Sequence, residues 1–600
     1  LPQTTPTTPL TAPLSSPRQA RRGDAVCRLL VLALAVGTVT LQDSNAANTY
    51  DYSRAASVLV SVEVRSSAPR LWLVWAPEAE ATAFLIFRKP VQAREWGSPV
   101  ARLPGTATSW ADPDAAVGEV REYAVLKRFR LGETERLGSG YVCAGVEAPM
   151  IDHRGTVVLV VDRTHAEGLR VELDRLQQDL VGDGWQVLRH DVSPSDSPAQ
   201  VKALITADYQ ADPMHVRAVF LLGHVPIPRS GWEAPDGHGN HQCAWPADTY
   251  YGDMDGQWTD ETVNETNQAT GVSNLPGDGQ FDQIVLPSAL ELEVGRVDLA
   301  DMPAFGADSE ERLLRQYLDK DHNWRYARLA VPMRGYVSDS FRTAGHSFAQ
   351  NGFRNFAALC GFSQITVGSG LPEDGYAWAY GCGPGGYTSA AGVASTEWFA
   401  RHDPKLVFTM LFGSYFGDWA ARDCLLRAPL ATTYGLSCCW AASPNYFFHH
   451  LALGWNLGYS VRLSQNNSGL YLPVASHDLA RGVWSALMGD PTLRLQPIPP
   501  PSAAQARPVP GGVKVSWRPS GQPVEGYALY RSTAPDKPFV RIMPGLARGI
   551  SFVDTNPAGG ARRYMVRAVA LQTSAGGTYY NPSQGVFTGW VSAGGSAPAA

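Results

Sequence analysis

The run Leu406-Val407-Phe408-Thr409-Met410-Leu411-Phe412 constrains this chain more than any other stretch. A strand with no polar face has to be covered on both sides, which is the condition of a central strand in a mainly parallel sheet. The run ends at Gly413-Ser414-Tyr415-Phe416-Gly417-Asp418-Trp419, and a second glycine-rich turn, Gly381-Cys382-Gly383-Pro384-Gly385-Gly386, precedes it. Ligands and chemistry collect at the carboxyl ends of such strands. Ser414 therefore falls where a reacting side chain would sit, and the stretch 376–419 organises the rest.

The texture of 150–496 agrees with that placement. Thr156-Val157-Val158-Leu159-Val160-Val161 reads as a strand, Leu169, Leu173, Leu176 and Leu180 as one face of a helix, and Trp185-Gln186-Val187-Leu188 as the next strand. A helix over 199–207 and a strand at Ala218-Val219-Phe220-Leu221-Leu222 continue the alternation. Strand and helix in alternation mean an α/β domain with a mainly parallel sheet. A long irregular insert, 226–287, divides it, and two α/β halves are expected at 150–326 and 327–496.

The flanks read differently. In 55–147, Leu71, Leu73 and Trp75 alternate, followed by Phe84-Leu85-Ile86-Phe87-Arg88, Thr108-Ser109-Trp110-Ala111-Asp112 and Glu122-Tyr123-Ala124-Val125-Leu126. After a linker at 497–502 the same order returns in 503–592. There Val513, Val515 and Trp517 lead to Gly526-Tyr527-Ala528-Leu529-Tyr530-Arg531, Ser551-Phe552-Val553-Asp554 and Arg563-Tyr564-Met565-Val566. Short strands at such intervals make a sandwich. Both copies resemble fibronectin type III domains, which space or bind and do not catalyse. The last residues, 593–600, read as a flexible tail.

Residues 1–17 are a Pro/Thr/Ser-rich low-complexity extension. In 18–46, Arg18, Arg21, Arg22 and Arg28 precede the apolar run from Leu29 to Val36, and Ser44-Asn45-Ala46 follows. That pattern is a secretory signal peptide, too short in its apolar part to span a bilayer. A secreted or cell-surface protein with no membrane span is expected. With cleavage near Ala46, Cys143, Cys243, Cys360, Cys382, Cys424, Cys438 and Cys439 remain, an odd set that is neither a disulfide framework nor a metal knuckle. The net charge of -6 carries no basic excess and argues against nucleic acid.

Four motifs across 150–496 resemble gingipain-type cysteine peptidases, secreted bacterial enzymes of caspase-like fold. They are Val219-Phe220-Leu221-Leu222-Gly223-His224-Val225-Pro226-Ile227-Pro228, Ala247-Asp248-Thr249-Tyr250-Tyr251-Gly252, Glu293-Val294-Gly295-Arg296 and Leu487-Met488-Gly489-Asp490-Pro491-Thr492-Leu493. The fold class this implies is multidomain: a central caspase-like α/β domain of two halves, between N- and C-terminal all-β fibronectin type III sandwiches. The family uses a His in a Gly-His-Gly turn and a Cys at the end of the next strand. At those positions this chain has Cys382 and Ser414. A thiolate nucleophile needs an imidazolium partner, and a serine hydroxyl needs a base even more. Losing one member of such a unit costs about 10⁴- to 10⁶-fold in rate.

The resemblance therefore implies a catalytically degenerate scaffold that binds extracellular protein or polysaccharide. Gly381, Gly383, Gly413, Tyr415, Asp418, Trp419 and Trp440 would line its crevice. The alternative is an active cysteine peptidase with a displaced dyad, drawn from Cys382, Cys438, Cys439, His449 and His450. No cofactor is required on either reading. Asp253, Asp255, Asp260 and Glu261 offer hard oxygen ligands suited to a structural calcium ion. His224, His238, His241 and Cys243 invite a zinc reading, at irregular spacing.

Overall fold

Ten strands build the central sheet: β1 Gly155–Asp162, β2 Trp185–Val192, β3 Val216–Leu222, β4 Glu293–Val297, β5 Gly335–Asp339, β6 Ile365–Gly368, β7 Tyr376–Cys382, β8 Leu406–Phe412, β9 Ser437–Trp440 and β10 Ala486–Gly489. Their order across the sheet is β6-β5-β7-β8-β9-β10-β4-β3-β1-β2. The computed structural model describes residues 51–592 apart from 269–270, 308–309, 343–345, 443–444, 473–480 and 558. The expected extension 1–17, signal peptide 18–46 and tail 593–600 lie outside the described residues.

The apolar runs are explained by two cores. Along β1, Val157, Leu159 and Val161 face a core that includes Leu173, Leu176 and Leu180 of helix α1, Arg170–Gly182. Val158 and Val160 face a second core with Val201 and Ile205 of helix α2, Pro198–Ala211. Ser197 and Gln200 form a capping box at the start of α2, with Pro198 in its first turn. All seven residues of β8 are buried, as the run required.

Strand direction departs from expectation. Every neighbouring pair is parallel except β9 and β10, which are antiparallel. Strands β5–β9 therefore run opposite to β1–β4 and β10, and their carboxyl ends lie at opposite edges of the sheet. The two sequence halves also interlock, because β10, from the end of the chain's second half, pairs with β4 of the first.

The flanking repeats are antiparallel sandwiches whose geometry repeats as the sequence does. In the first, Trp75 packs on Phe84 with ring centroids 5.2 Å apart, Arg88 reaches Asp112 at 2.6 Å, and the Tyr123 hydroxyl donates to Asp112 at 2.5 Å. In the second, Trp517 packs on Tyr527 at 5.2 Å, Arg531 reaches Asp554 at 2.7 Å, and the Tyr564 hydroxyl donates to Asp554 at 2.8 Å. The copies are not separate beads. Thr134–Ala148 of the first and Gly577–Pro582 of the second pair in parallel, Gly145 opposite Gly577, so one sheet runs through both. The described residues fall within one compact unit. Among the described residues no helix is long and apolar enough to cross a membrane.

Candidate functional site

The turns that follow β7 and β8 are pressed together at one edge of the sheet. Cys382 stands opposite Phe412 in register, and the Gly383 N–H donates to the Phe412 carbonyl at 3.1 Å. A Cβ at Gly385 would lie 2.3 Å from the Ser414 carbonyl oxygen, and one at Gly413 2.5 Å from that of Gly383. Glycine at these two positions is what lets the turns meet.

Cys382 is fully buried. Its thiol donates to Asp339 Oδ1 at 3.2 Å, from the end of the adjacent β5. Asp339 also accepts from Ser53 Oγ at 3.2 Å and from the Phe341 N–H at 2.9 Å. Burial, and then the Asp339 carboxylate, push the thiol well above its ordinary value. Cys382, offered by the sequence as one member of a displaced dyad, is thus closed in and held protonated.

Ser414 has a partner that the sequence reading did not give it. A two-stranded ribbon in the long insert, Arg229–Glu233 with Cys243–Pro246, carries its tip to the end of β8. His238 Nε2 lies there 2.8 Å from Ser414 Oγ. The imidazole stacks on Tyr415 at 5.1 Å, and the other face of the tip, His241, stacks on the same ring at 4.6 Å. Asp236 fixes this arrangement by accepting from His241 Nδ1 at 2.8 Å, the Tyr415 N–H at 3.0 Å and the His238 N–H at 3.1 Å. Tyr415 has φ +66°, a strained value for a side-chain-bearing residue, and the hydrogen bond its N–H donates to Asp236 holds it there.

Behind this pair, His241, Cys243 and Asp418 converge, with one donor atom of each within 4.8 Å of the others. Burial pulls the His241 imidazole down, but Asp236 and Asp418 outweigh it and hold it up at about 9. Burial, then Asp418, push the Cys243 thiol up to about 12. Tyr387, from the turn after β7, places its hydroxyl 2.9 Å from His241 Nε2.

Other expected site residues fall elsewhere. Trp419 lies beneath the Arg296 guanidinium at 4.9 Å, and Trp440 stacks on Trp245 and donates to the Gly413 carbonyl at 2.9 Å. Both are buried and form the floor beneath the turns, not the lining of an open crevice. Cys438 and Cys439 are buried within the sheet opposite Thr409 and Met410. Burial pushes the Cys438 thiol up to about 12 and the Cys439 thiol well above its ordinary value. His449 and His450 are instead packed on Glu122 of the first sandwich at 2.7 and 3.3 Å. The displaced dyad is therefore not assembled from these residues.

The expected calcium quartet also divides. Asp253 accepts from the Gly256 N–H at 2.8 Å and Trp258 Nε1 at 3.0 Å, whereas Asp260 accepts from the Gly277 and Gly279 N–H groups at 2.8 and 2.7 Å. Asp253 and Asp255 converge with Glu291 instead, and Glu261 is exposed. The histidines weighed for zinc separate too, because His224 pairs with Asp298 at 2.9 Å and His238 with Ser414.

No family model and no curated protein matches the chain. Among solved structures it is similar to gingipain R, an Arg-specific cysteine proteinase, with 11% identity over 74% of this chain and 98% of that one, at a TM-score of 0.43. A complex of the pro- and mature domains of RgpB from Porphyromonas gingivalis gives 11% identity over 73% of this chain and 100% of that one, at 0.44. An Fn3-like protein from Clostridium thermocellum matches 16% of this chain and 94% of its own length, with 20% identity and a TM-score of 0.12. Likeness at this level assigns neither activity nor site residues.

Proposed function

We propose that the chain is an exported, gingipain-like peptidase scaffold that has lost thiol catalysis and acts outside the cell as a binding module for protein or polysaccharide, its fibronectin type III-like flanks serving as spacers. The observation that carries this reading is the state of Cys382. A buried thiol that donates to a half-buried carboxylate is neither a thiolate nor a base, so the position of the family histidine is chemically silent. Cys243 does have an imidazole beside it, but Asp236 and Asp418 hold that imidazolium to themselves, and the Asp418 charge opposes a thiolate. The exposed face above the turns carries Tyr387, His238 and Asn240 beside Tyr415, aromatic and amide surfaces suited to a sugar ring or a peptide.

One observation favours a second reading, a serine hydrolase. The 2.8 Å contact of Ser414 with His238 is a nucleophile–base hydrogen bond. Against it, His238 is exposed, and Asp236 orients His241 through its ring while touching His238 only at the backbone. Intact-mass analysis after exposure to a thiol-directed peptide probe and to a fluorophosphonate separates the readings. A binding module labels with neither faster than its unfolded chain does. A stoichiometric adduct on Ser414 that disappears in His238→Ala would replace it with the hydrolase.

A further inference from the structure

We propose that His241 Nε2, Cys243 Sγ and a carboxylate oxygen of Asp418 form a three-ligand site for a divalent metal ion of the zinc type. His241 Nε2 and Asp418 Oδ2 are 3.8 Å apart. Ligands at zinc bond lengths in a tetrahedron sit about 3.3–3.6 Å from one another, so this pair needs a contraction of a few tenths of an ångström, and all three donor atoms already lie within 4.8 Å of one another. A thiolate, an imidazole and a carboxylate together select a borderline metal over calcium or magnesium, which prefer oxygen throughout.

Two features beyond the ligand types point to a metal. The first is the orientation of the imidazole. His241 donates Nδ1–H to Asp236, and Asp236 is itself held by two backbone amides, the carboxylate–histidine arrangement that aims Nε2 at a metal. The second is Asp418 Oδ1, which is buried and has no hydrogen-bond partner among the described residues; the Arg229 guanidinium approaches it only to 3.7 Å. A buried, unpaired carboxylate oxygen is costly, and a cation satisfies it. Tyr387, now on Nε2, stands on the short hairpin after β7 and is 39% exposed, so its hydroxyl can swing away as the metal enters. Metal entry displaces the thiol proton, and any proton on Nε2, to solvent. Three protein ligands leave a fourth position for water or for a donor atom of a bound molecule.

Three other clusters of metal-ligating side chains occur among the described residues, and in one of them Asp162 already accepts from the Thr164 and His224 N–H groups while His165 pairs with Glu310 at 3.2 Å. In the other two, Glu122 pairs with the Lys89 ammonium as well as His449, and Lys202 sits on the Tyr250 and Asp253 carbonyls beside the Asp253 carboxylate. The metal site stands independently of the binding-module reading, since a chain with an inert Ser414 and no sugar affinity could still hold zinc.

The test uses the full chain, stripped with chelator and titrated with cobalt(II) as a spectroscopic substitute, with zinc stoichiometry read by elemental mass spectrometry. One metal per chain is expected, with a thiolate-to-cobalt charge-transfer band in the near ultraviolet. That band should persist in the control Cys360→Ser and vanish in Cys243→Ser. Asp236→Asn should weaken zinc by about 10- to 100-fold, and Asp418→Asn, which keeps the side chain's size, by at least as much. Circular dichroism confirms that each variant is folded. A folded wild type with no cobalt–thiolate band overturns the proposal and leaves His241 as an imidazolium bridging two carboxylates. So does a band that survives Cys243→Ser, or an unchanged zinc affinity in Asp418→Asn.

Discussion

Glu122→Gln should be among the most damaging single-atom-scale changes in the molecule. Glu122 and Lys89 pair with side chains 0% and 2% exposed, and the same carboxylate accepts from His449 Nε2 and from the Tyr471 hydroxyl, each at 2.7 Å. The knot joins the first sandwich to the central domain. Glutamine keeps the shape and one acceptor but turns an amide toward the Lys89 ammonium, which is left charged and unpaired. Breaking one side of a buried pair costs about 3–5 kcal/mol. Removing both charges, in Lys89→Met/Glu122→Gln, should recover most of that loss, because an apolar replacement of a buried pair is often close to neutral. The assay is guanidinium denaturation of wild type, both single variants and the double variant, read by tryptophan fluorescence with m-values compared. The coupling energy should reach about 2 kcal/mol or more. A cost under about 1 kcal/mol for Glu122→Gln, or a double variant no better than the single, would refute the reasoning.

The same knot makes stability fall in mild acid. Burial, and then His450, hold His449 down at about 4, below its ordinary 6.5, so the unfolded chain takes up the proton first as the pH falls. The His449 contribution is full above about pH 6.5 and is lost toward pH 4, by up to about 3 kcal/mol. His449→Gln should flatten the melting temperature across that window, and an unchanged slope would contradict the assignment. Asp183, held down at about 2 against burial by Arg494, Arg154, Arg325 and Arg567, should be intolerant of Asn. Asp183→Asn is expected to cost about 3 kcal/mol or more and to expose the tie between the central domain and the second sandwich to limited proteolysis. Gly385→Ala puts a methyl 2.3 Å from the Ser414 carbonyl and should destabilise by about 1–3 kcal/mol. Gly386→Ala meets nothing nearer than Ser389 Oγ at 3.7 Å and should be silent.

Much of the fold was legible because burial on both faces leaves an unmistakable mark. The run Leu406–Phe412 is the strand its apolar pattern required, whereas Gly381 and Cys382, read as part of a turn, close the strand Tyr376–Cys382. The repeat of Trp, Arg, Asp and Tyr in the sandwiches was legible for another reason. Those four residues make the same packed and hydrogen-bonded corner twice. The reversal between β9 and β10 was not legible, since a short strand buried on both faces looks the same in either direction. Fusion of the two sandwiches left one trace, the facing Gly145 and Gly577. A Cβ at Gly577 would lie 2.2 Å from the Gly145 carbonyl oxygen.

The site was half legible for a related reason. Strand ends announce themselves, so Cys382 and Ser414 could be placed, but the partner of Ser414 arrives from 234–243, in an insert with no periodic pattern to fix its path. Gly237-His238-Gly239 was the available signal, a histidine freed by glycines on either side, and His238 entered the sequence reading only as one of four scattered metal ligands. Proximity in space also changes what a residue type means. A carboxylate at the position of Asp339 would orient a histidine at 382 by accepting its N–H. Facing a cysteine, the same carboxylate keeps the thiol protonated, and Ser53 from the N-terminal segment adds a second donor to the closed arrangement. The chemistry at 382 is therefore set by its neighbours on β5 and on the segment before the first sandwich as much as by the cysteine itself. Placing a histidine there would give an oriented imidazole only if Ser53 and Asp339 were free to yield the space.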